Sequence, residues 1–191
     1  MTKKRTGWRV YRETAKAFFR NWMLAIGIMV AVFSLQQKAK AETPPQMAVA
    51  PKVITSGHFL VRGHIVIDLQ NAVEWMRCSV GQQWDGSACV GAAVALNHDE
   101  IAKAIVIANE QLGSGWRLPN RAELEGLVCK TCAPVKIELD SFPNTMAEPY
   151  WTGEVNSFAP RHIWSVNFMT GHTYGRFFPT QRILVRLVRD R

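Results

Sequence analysis

Gly115-Trp116-Arg117-Leu118-Pro119-Asn120-Arg121-Ala122-Glu123-Leu124 reads as the corner between two helices. Asn120 is placed to accept a hydrogen bond from the Glu123 amide, and Glu123 to reach back to the Asn120 amide. That is a capping box with Asn in place of Ser or Thr. Pro119 keeps Leu118 out of the helical region, so the second helix starts afresh. Trp116 and Leu118 are apolar in a connection that would otherwise be polar, which predicts a corner tucked into the core.

Working outward, Asn97-His98-Asp99-Glu100 is a second capping-box pattern. Ile101, Ala104, Ile105, Ala108 and Leu112 follow at helical spacing, and Gly113 stops that helix. The second helix is expected over Arg121 to Cys129, with Leu124, Leu127 and Val128 inward. Upstream, Phe59 to Asp68 reads as two short strands turning at Arg62-Gly63, and Asn71 to Met76 as another extended piece carrying Trp75. Downstream, Ile163 to Phe168 alternates like a strand and Gly171-His172 makes a turn. Thr173 to Phe178 returns, and Ile183 to Val188 closes the chain with Ile183, Val185 and Leu187 on one face. Strands at both ends with two helices between them give an α+β layout.

The net charge of +8 is unevenly placed. Nine of the 23 Lys and Arg, and one of the 15 acids, lie in residues 1–41, so the remainder carries 14 of each and is neutral. A basic face for nucleic acid therefore gets no support from charge. A basic stretch ends at Arg20, the apolar run Trp22 to Leu35 follows, and Ala39-Lys40-Ala41 has the small-x-small pattern of a cleavage site. The run holds 14 residues, against about 20 for a spanning helix. Residues 1–41 are expected to be a signal peptide or an N-terminal membrane anchor. In either case the folded part is exported, to the periplasm, cell surface or extracellular space, and touches the inner membrane only through this segment if it is uncleaved. Residues 42–57, with Pro44-Pro45, Pro51 and Gly57, read as a linker, and 58–191 as the domain.

Four cysteines in an exported chain suggest two disulfides, with three connectivities open. Cys78–Cys89 and Cys129–Cys132 are favoured because each pair is close in sequence and encloses turn-forming residues. As a redox pair, Cys129-Lys130-Thr131-Cys132 would sit at a helix C-terminus, where the dipole raises rather than lowers a thiol pKa. Zinc would need a second close pair, and Cys78 and Cys89 are too far apart to supply it. No metal or cofactor is expected. The five histidines, His58, His64, His98, His162 and His172, form no His-x-x-x-His pair and adjoin no obvious nucleophile. Asp99-Glu100 and Glu123/Glu125 lie at helix starts, where they offset the dipole without catalysis.

The corner and a set of further motifs resemble the Lcl C-terminal domain family, bacterial modules with a C-type-lectin-like fold. The motifs are Val66-Ile67-Asp68-Leu69, Trp75-Met76-Arg77-Cys78-Ser79-Val80-Gly81-Gln82, Trp84-Asp85-Gly86, Phe142-Pro143-Asn144-Thr145, Tyr150-Trp151-Thr152, Trp164-Ser165-Val166-Asn167-Phe168, Gly171 and Val185-Arg186-Leu187-Val188-Arg189. The resemblance spans about residues 58–190. It implies two helices packed on short antiparallel sheets, with the N- and C-terminal strands paired. Calcium-dependent sugar binding does not carry over: Glu148-Pro149 is followed by Tyr150 rather than an amide, and Trp164-Ser165-Val166-Asn167 does not replace the Trp-Asn-Asp triplet.

In the lectin-like fold the later loops usually carry the ligand surface, which nominates Asn156, Arg161, His162, His172, Tyr174 and Arg176 for an anionic glycan, with Arg as the bidentate donor. Trp116, Arg117, Trp151, Trp164 and Arg186 read as structural. The expected function is an exported, non-catalytic binding module recognising a polysaccharide or protein at the cell envelope, since the resemblance implies adhesion to sulfated glycans. The alternative is a structural component of an envelope assembly such as a pilus, secretion or conjugation apparatus. An enzyme of the formylglycine-generating type would use a cysteine pair, but the cysteines here are accounted for as disulfides.

Overall fold

The computed structural model of the protein describes residues 54–133 and 135–191. The leader and most of the linker expected from the sequence lie outside the described residues. Within the described residues no helix is long and apolar enough to cross a membrane.

The fold is α+β. Strands β1 (Ile54–Ser56), β2 (Phe59–Arg62), β3 (Ile65–Asp68) and β4 (Val73–Met76) form an antiparallel meander. β1 falls inside the stretch expected to be linker and pairs with β2. The β2–β3 turn is centred on Gly63, whose φ of 58° lies in the left-handed region that glycine enters freely. The β3–β4 turn is held by buried Asp68, whose Oδ1 accepts from the amides of Gln70 and Asn71, each at 3.0 Å. A short hairpin follows, β5 (Gln83–Trp84) with β6 (Cys89–Val90). Helices α1 (His98–Leu112) and α2 (Arg121–Gly126) come next, then the three-stranded sheet β7 (Pro149–Val155), β8 (Ile163–Asn167) and β9 (His172–Phe177). The last strand, β10 (Val188–Asp190), pairs with β4.

Both capping boxes form, on Asn97 and Glu100 and on Asn120 and Glu123. The corner is buried as expected at Trp116, 2% exposed. Asn109 of α1 fixes it, accepting from the Trp116 amide at 2.8 Å and donating to its carbonyl at 3.2 Å. Arg117 exchanges backbone bonds with Val188 and donates both guanidinium nitrogens to Glu123. The Pro119 carbonyl accepts from Gly153 of β7 at 2.8 Å. Ten residues of loop and cap thus connect both helices, the last strand and the second sheet.

Four expectations change. The terminal strands share a sheet but do not pair, because a meander carries its first strand to the far edge and leaves β4 open for β10. α2 ends at Gly126 rather than Cys129: Val128 bonds back to Glu125 in a tightened turn, and the Cys129 amide goes to Lys136 instead of into the helix. Leu112 faces outward, 44% exposed, at the point where Gly113 turns the chain. Ile183 to Leu187 is not a ladder strand. Its backbone bonds are divided among Leu96, Val80, Met76, Pro149 and Trp151, so it runs between the sheets and β10 begins only at Val188.

That divided segment organises the core. Ile183, Val185 and Leu187 pack with Trp116, Trp151, Ile101 and Ala108. Leu184 and Val188 pack on the other side with Trp75, Tyr150, Phe142 and Phe168. Arg186 lies between these two and is fully buried. Its guanidinium donates to the carbonyl of Met76 at 2.8 Å, to the carbonyl of Arg77, to Thr145 Oγ1 at 2.7 Å and to Ser79 Oγ at 3.3 Å. The Phe142 ring lies 4.9 Å from its Cζ. No carboxylate pairs with it among the described residues. Burial lowers its pKa to about 10, so it is still charged at neutral pH.

Both expected disulfides are present, Cys78–Cys89 and Cys129–Cys132. Replacing Cys78 and Cys89 together by Ser is expected to lower unfolding free energy by about 2–3 kcal/mol in urea titrations. Losing Cys129–Cys132 should cost far less, because its ring is so small. Arg186→Lys should cost about 2–4 kcal/mol in the same measurement, since an ammonium cannot span four separated acceptors.

Candidate functional site

Of the six residues nominated for ligand binding, Asn156, Arg161 and His162 lie in the β7–β8 loop, and His172, Tyr174 and Arg176 lie along β9 of the three-stranded sheet. Val155, Ile163 and Phe177 are register neighbours at one end. The loop from Asn156 to His162 caps that end. The turn from Phe168 to Gly171 closes the other end, beside α2.

At the loop end, Asn156 is 7% exposed and its side chain is already used. Its Oδ1 accepts from the Phe158 amide at 3.0 Å, and its Nδ2 donates to the Gly175 carbonyl at 2.8 Å. Asn156 therefore shapes the loop rather than facing solvent. His162 is half-buried with its ring 4.4 Å from that of Phe178. Arg161 is exposed. Arg176, also exposed, sits with its Cζ 4.8 Å over the Tyr174 ring. Sequence reading passed over Phe158, which is 92% exposed. Nothing in its local pattern distinguishes an outward Phe from a core one.

At the turn end, a cleft of about 770 Å³ is lined by Arg121, Glu125, Lys130, His172, Thr173 and Tyr174, among others. Its floor is fixed. Arg121 Nε donates to Glu125 Oε1 at 2.7 Å, and Thr173 Oγ1 donates to the same oxygen at 2.6 Å. Burial opposes ionisation of Glu125, but those two donors outweigh it and its pKa lies below the ordinary value. The Arg121 guanidinium lies 4.2 Å over Trp164. Trp164 in turn lies against Gly175, where a Cβ would come within 2.6 Å of the indole. With Arg121 and Glu125 neutralising each other, Lys130 gives the cleft a net positive charge. Lys130 is presented by the Cys129–Cys132 ring, which Lys136 props by donating to the Cys132 carbonyl at 2.7 Å.

Of the six nominated residues the cleft gathers His172 and Tyr174, and Arg176 touches it through Tyr174. Arg121 and Lys130 also line the cleft, although in the sequence one reads as a helix start and the other as the filling of a cysteine pair. Among the described residues no group of three or more His, Cys, Asp or Glu is placed to hold a metal ion.

These features define a disulfide-braced α+β domain with a polar cleft beside its second sheet. A family profile for the Lcl C-terminal domain matches residues 64–189. The chain belongs to that family. No curated protein and no solved structure matches it.

Behind the loop end, His98 meets Trp151 edge-on, with centroids 4.8 Å apart. Its Nε2 is buried without a hydrogen-bond partner. Burial pushes its pKa below the ordinary 6.5, against the pull of Asp99. In the window below 6.5 the unfolded chain therefore binds more protons at this position than the folded one, and stability falls as pH drops. Urea midpoints should decline between pH 7.5 and about 5, and His98→Gln should flatten that decline.

Proposed function

We propose that the chain is an exported, non-catalytic binding module whose ligand is an anionic polysaccharide at the cell envelope. The observation that carries this is the cleft beside α2, lined by Lys130, whose ammonium has no ion-pair partner among the described residues, and by Tyr174, over whose ring Arg176 lies. A sulfate or carboxylate is the complementary group for such donors. The resemblance to sulfated-glycan adhesins points the same way, and a C-type-lectin-like arrangement of the domain fits the order of its elements. Residues 1–41 would serve export, either as a cleaved signal peptide or as an anchor that leaves the domain outside the cytoplasm. The second reading, a structural component of an envelope assembly, is favoured by one observation: a fully exposed Phe158 on a well-braced loop suits contact with protein better than contact with sugar hydroxyls.

The full chain, extracted in mild detergent, is expected to be retained on heparin-agarose at low salt and released as salt rises. Lys130→Ala and Arg176→Ala should each weaken retention about fivefold, equivalent to about 1 kcal/mol. A chain that passes straight through at low salt would remove the anionic-glycan reading.

A further inference from the structure

The Cys129–Cys132 ring stands at the rim of the cleft beside α2 and carries Lys130 to it. The base of the ring is stitched to the domain. The Lys136 amide donates to the Phe168 carbonyl at 2.6 Å, and the Cys129 amide to the Lys136 carbonyl at 3.0 Å. Val128 and Lys136 also pack on Gly171, where a Cβ would come within 3.2 Å of the one and 3.6 Å of the other. The turn that joins β8 to β9 therefore fixes where the ring leaves the domain and where it returns.

The tip is held differently. Among the described residues, Lys130, Thr131, Cys132 and Ala133 make no backbone–backbone bond to another part of the domain. Their specific restraints are the disulfide and the Lys136 ammonium, which donates to the Cys132 carbonyl at 2.7 Å and to the Lys130 carbonyl at 3.5 Å. Lys130, Thr131 and Ala133 are exposed, and both cysteines of the ring are half-buried. Cys78 and Cys89, by contrast, are 8% and 3% exposed. A bond closing so small a ring removes little freedom from the unfolded chain. Its effect is local, on the position of Lys130. Accessible disulfides are also the ones an incoming thiol reaches first.

We propose that reduction of Cys129–Cys132 by an external dithiol switches the cleft off by releasing Lys130 from its rim. The inference rests on the anionic-ligand reading of that cleft. In the step, a thiolate of the dithiol attacks one sulfur of the pair and forms a mixed disulfide, and its second thiol then displaces the cysteine. Two electrons and two protons pass to Cys129 and Cys132, which end as thiols, while the dithiol ends as a disulfide. The pair needs no activated thiol of its own, because it is the target of the attack. Once released, Lys130 has to be ordered again for each anion bound, and that entropy weakens the contact. The oxidised module holds its ligand and the reduced module lets go.

The test titrates the full chain, in mild detergent, with dithiothreitol. Thiols are alkylated and mapped by mass spectrometry. A species with thiols at Cys129 and Cys132 and an intact Cys78–Cys89 is expected first. In that species tryptic cleavage after Lys130 should be about tenfold faster than in the oxidised chain. Heparin retention should fall about fivefold, to the level of Lys130→Ala. Cys129→Ser combined with Cys132→Ser should reproduce both changes without reductant, and Lys130→Ala should make retention indifferent to reduction. Opening of Cys78–Cys89 first or at the same point would overturn the proposal. So would cleavage after Lys130 that ignores reduction, or a Lys130→Ala chain whose retention still falls. Equal retention of the oxidised and reduced chains removes the switch alone, whereas an oxidised chain that heparin does not hold removes the anionic-ligand reading and the switch with it.

Discussion

The guanidinium of Arg186 ties the structure together. It sits with no solvent exposure and, among the described residues, no carboxylate partner, and collects carbonyls from the end of β4 and hydroxyls from Ser79 and Thr145. Taking a charge out of water is expensive, and the lowered pKa of this group expresses that cost. Four acceptors offset it, each a charge-assisted bond of roughly 1.5–3 kcal/mol. Only a planar fork reaches acceptors lying in several directions at once. Arg186 therefore fixes the register of the closing segment, and Ile183, Val185 and Leu187 on the one side, with Leu184 and Val188 on the other, can fill their two halves of the core in one way only.

The corner at Trp116 depends on that register. Arg117 bonds to Val188 through its backbone, and Pro119 to Gly153. A slip of one residue in the closing segment would exchange its two faces, unseating Trp116 and with it the start of α2. The weakly cationic cleft is then a downstream consequence. Arg121 begins α2, packs over Trp164 and pairs with Glu125, so the cleft floor is set by the same corner that joins the helices.

The two ends of the three-stranded sheet present different chemistry. The cleft beside α2 is polar and weakly cationic, and is suited to an anion. The loop at the far end exposes apolar surface at Phe158 and Val155. The length of the three-stranded sheet separates the two.

Much of the architecture was legible from local chemistry. Capping boxes, the Pro119 break, close cysteine pairs and the β2–β3 turn are short-range devices, and the chain states them in adjacent residues. The strand at 149–155 and the hairpin at 83–90 were not visible, because their burial is decided by partners far away in sequence. The shortening of α2 came from the Cys129 amide finding Lys136, and Leu112 is left exposed at the helix end where Gly113 turns the chain. The candidate site shows the same division. The sequence by itself determined which residues carry charge and aromatic surface between Tyr150 and Arg176. Only the tertiary structure decided that Asn156 is spent on shaping a loop, that Lys130 rather than Arg161 faces the cleft, and that Phe158 points into solvent. Exposure depends on packing across the whole domain, and no local pattern encodes it.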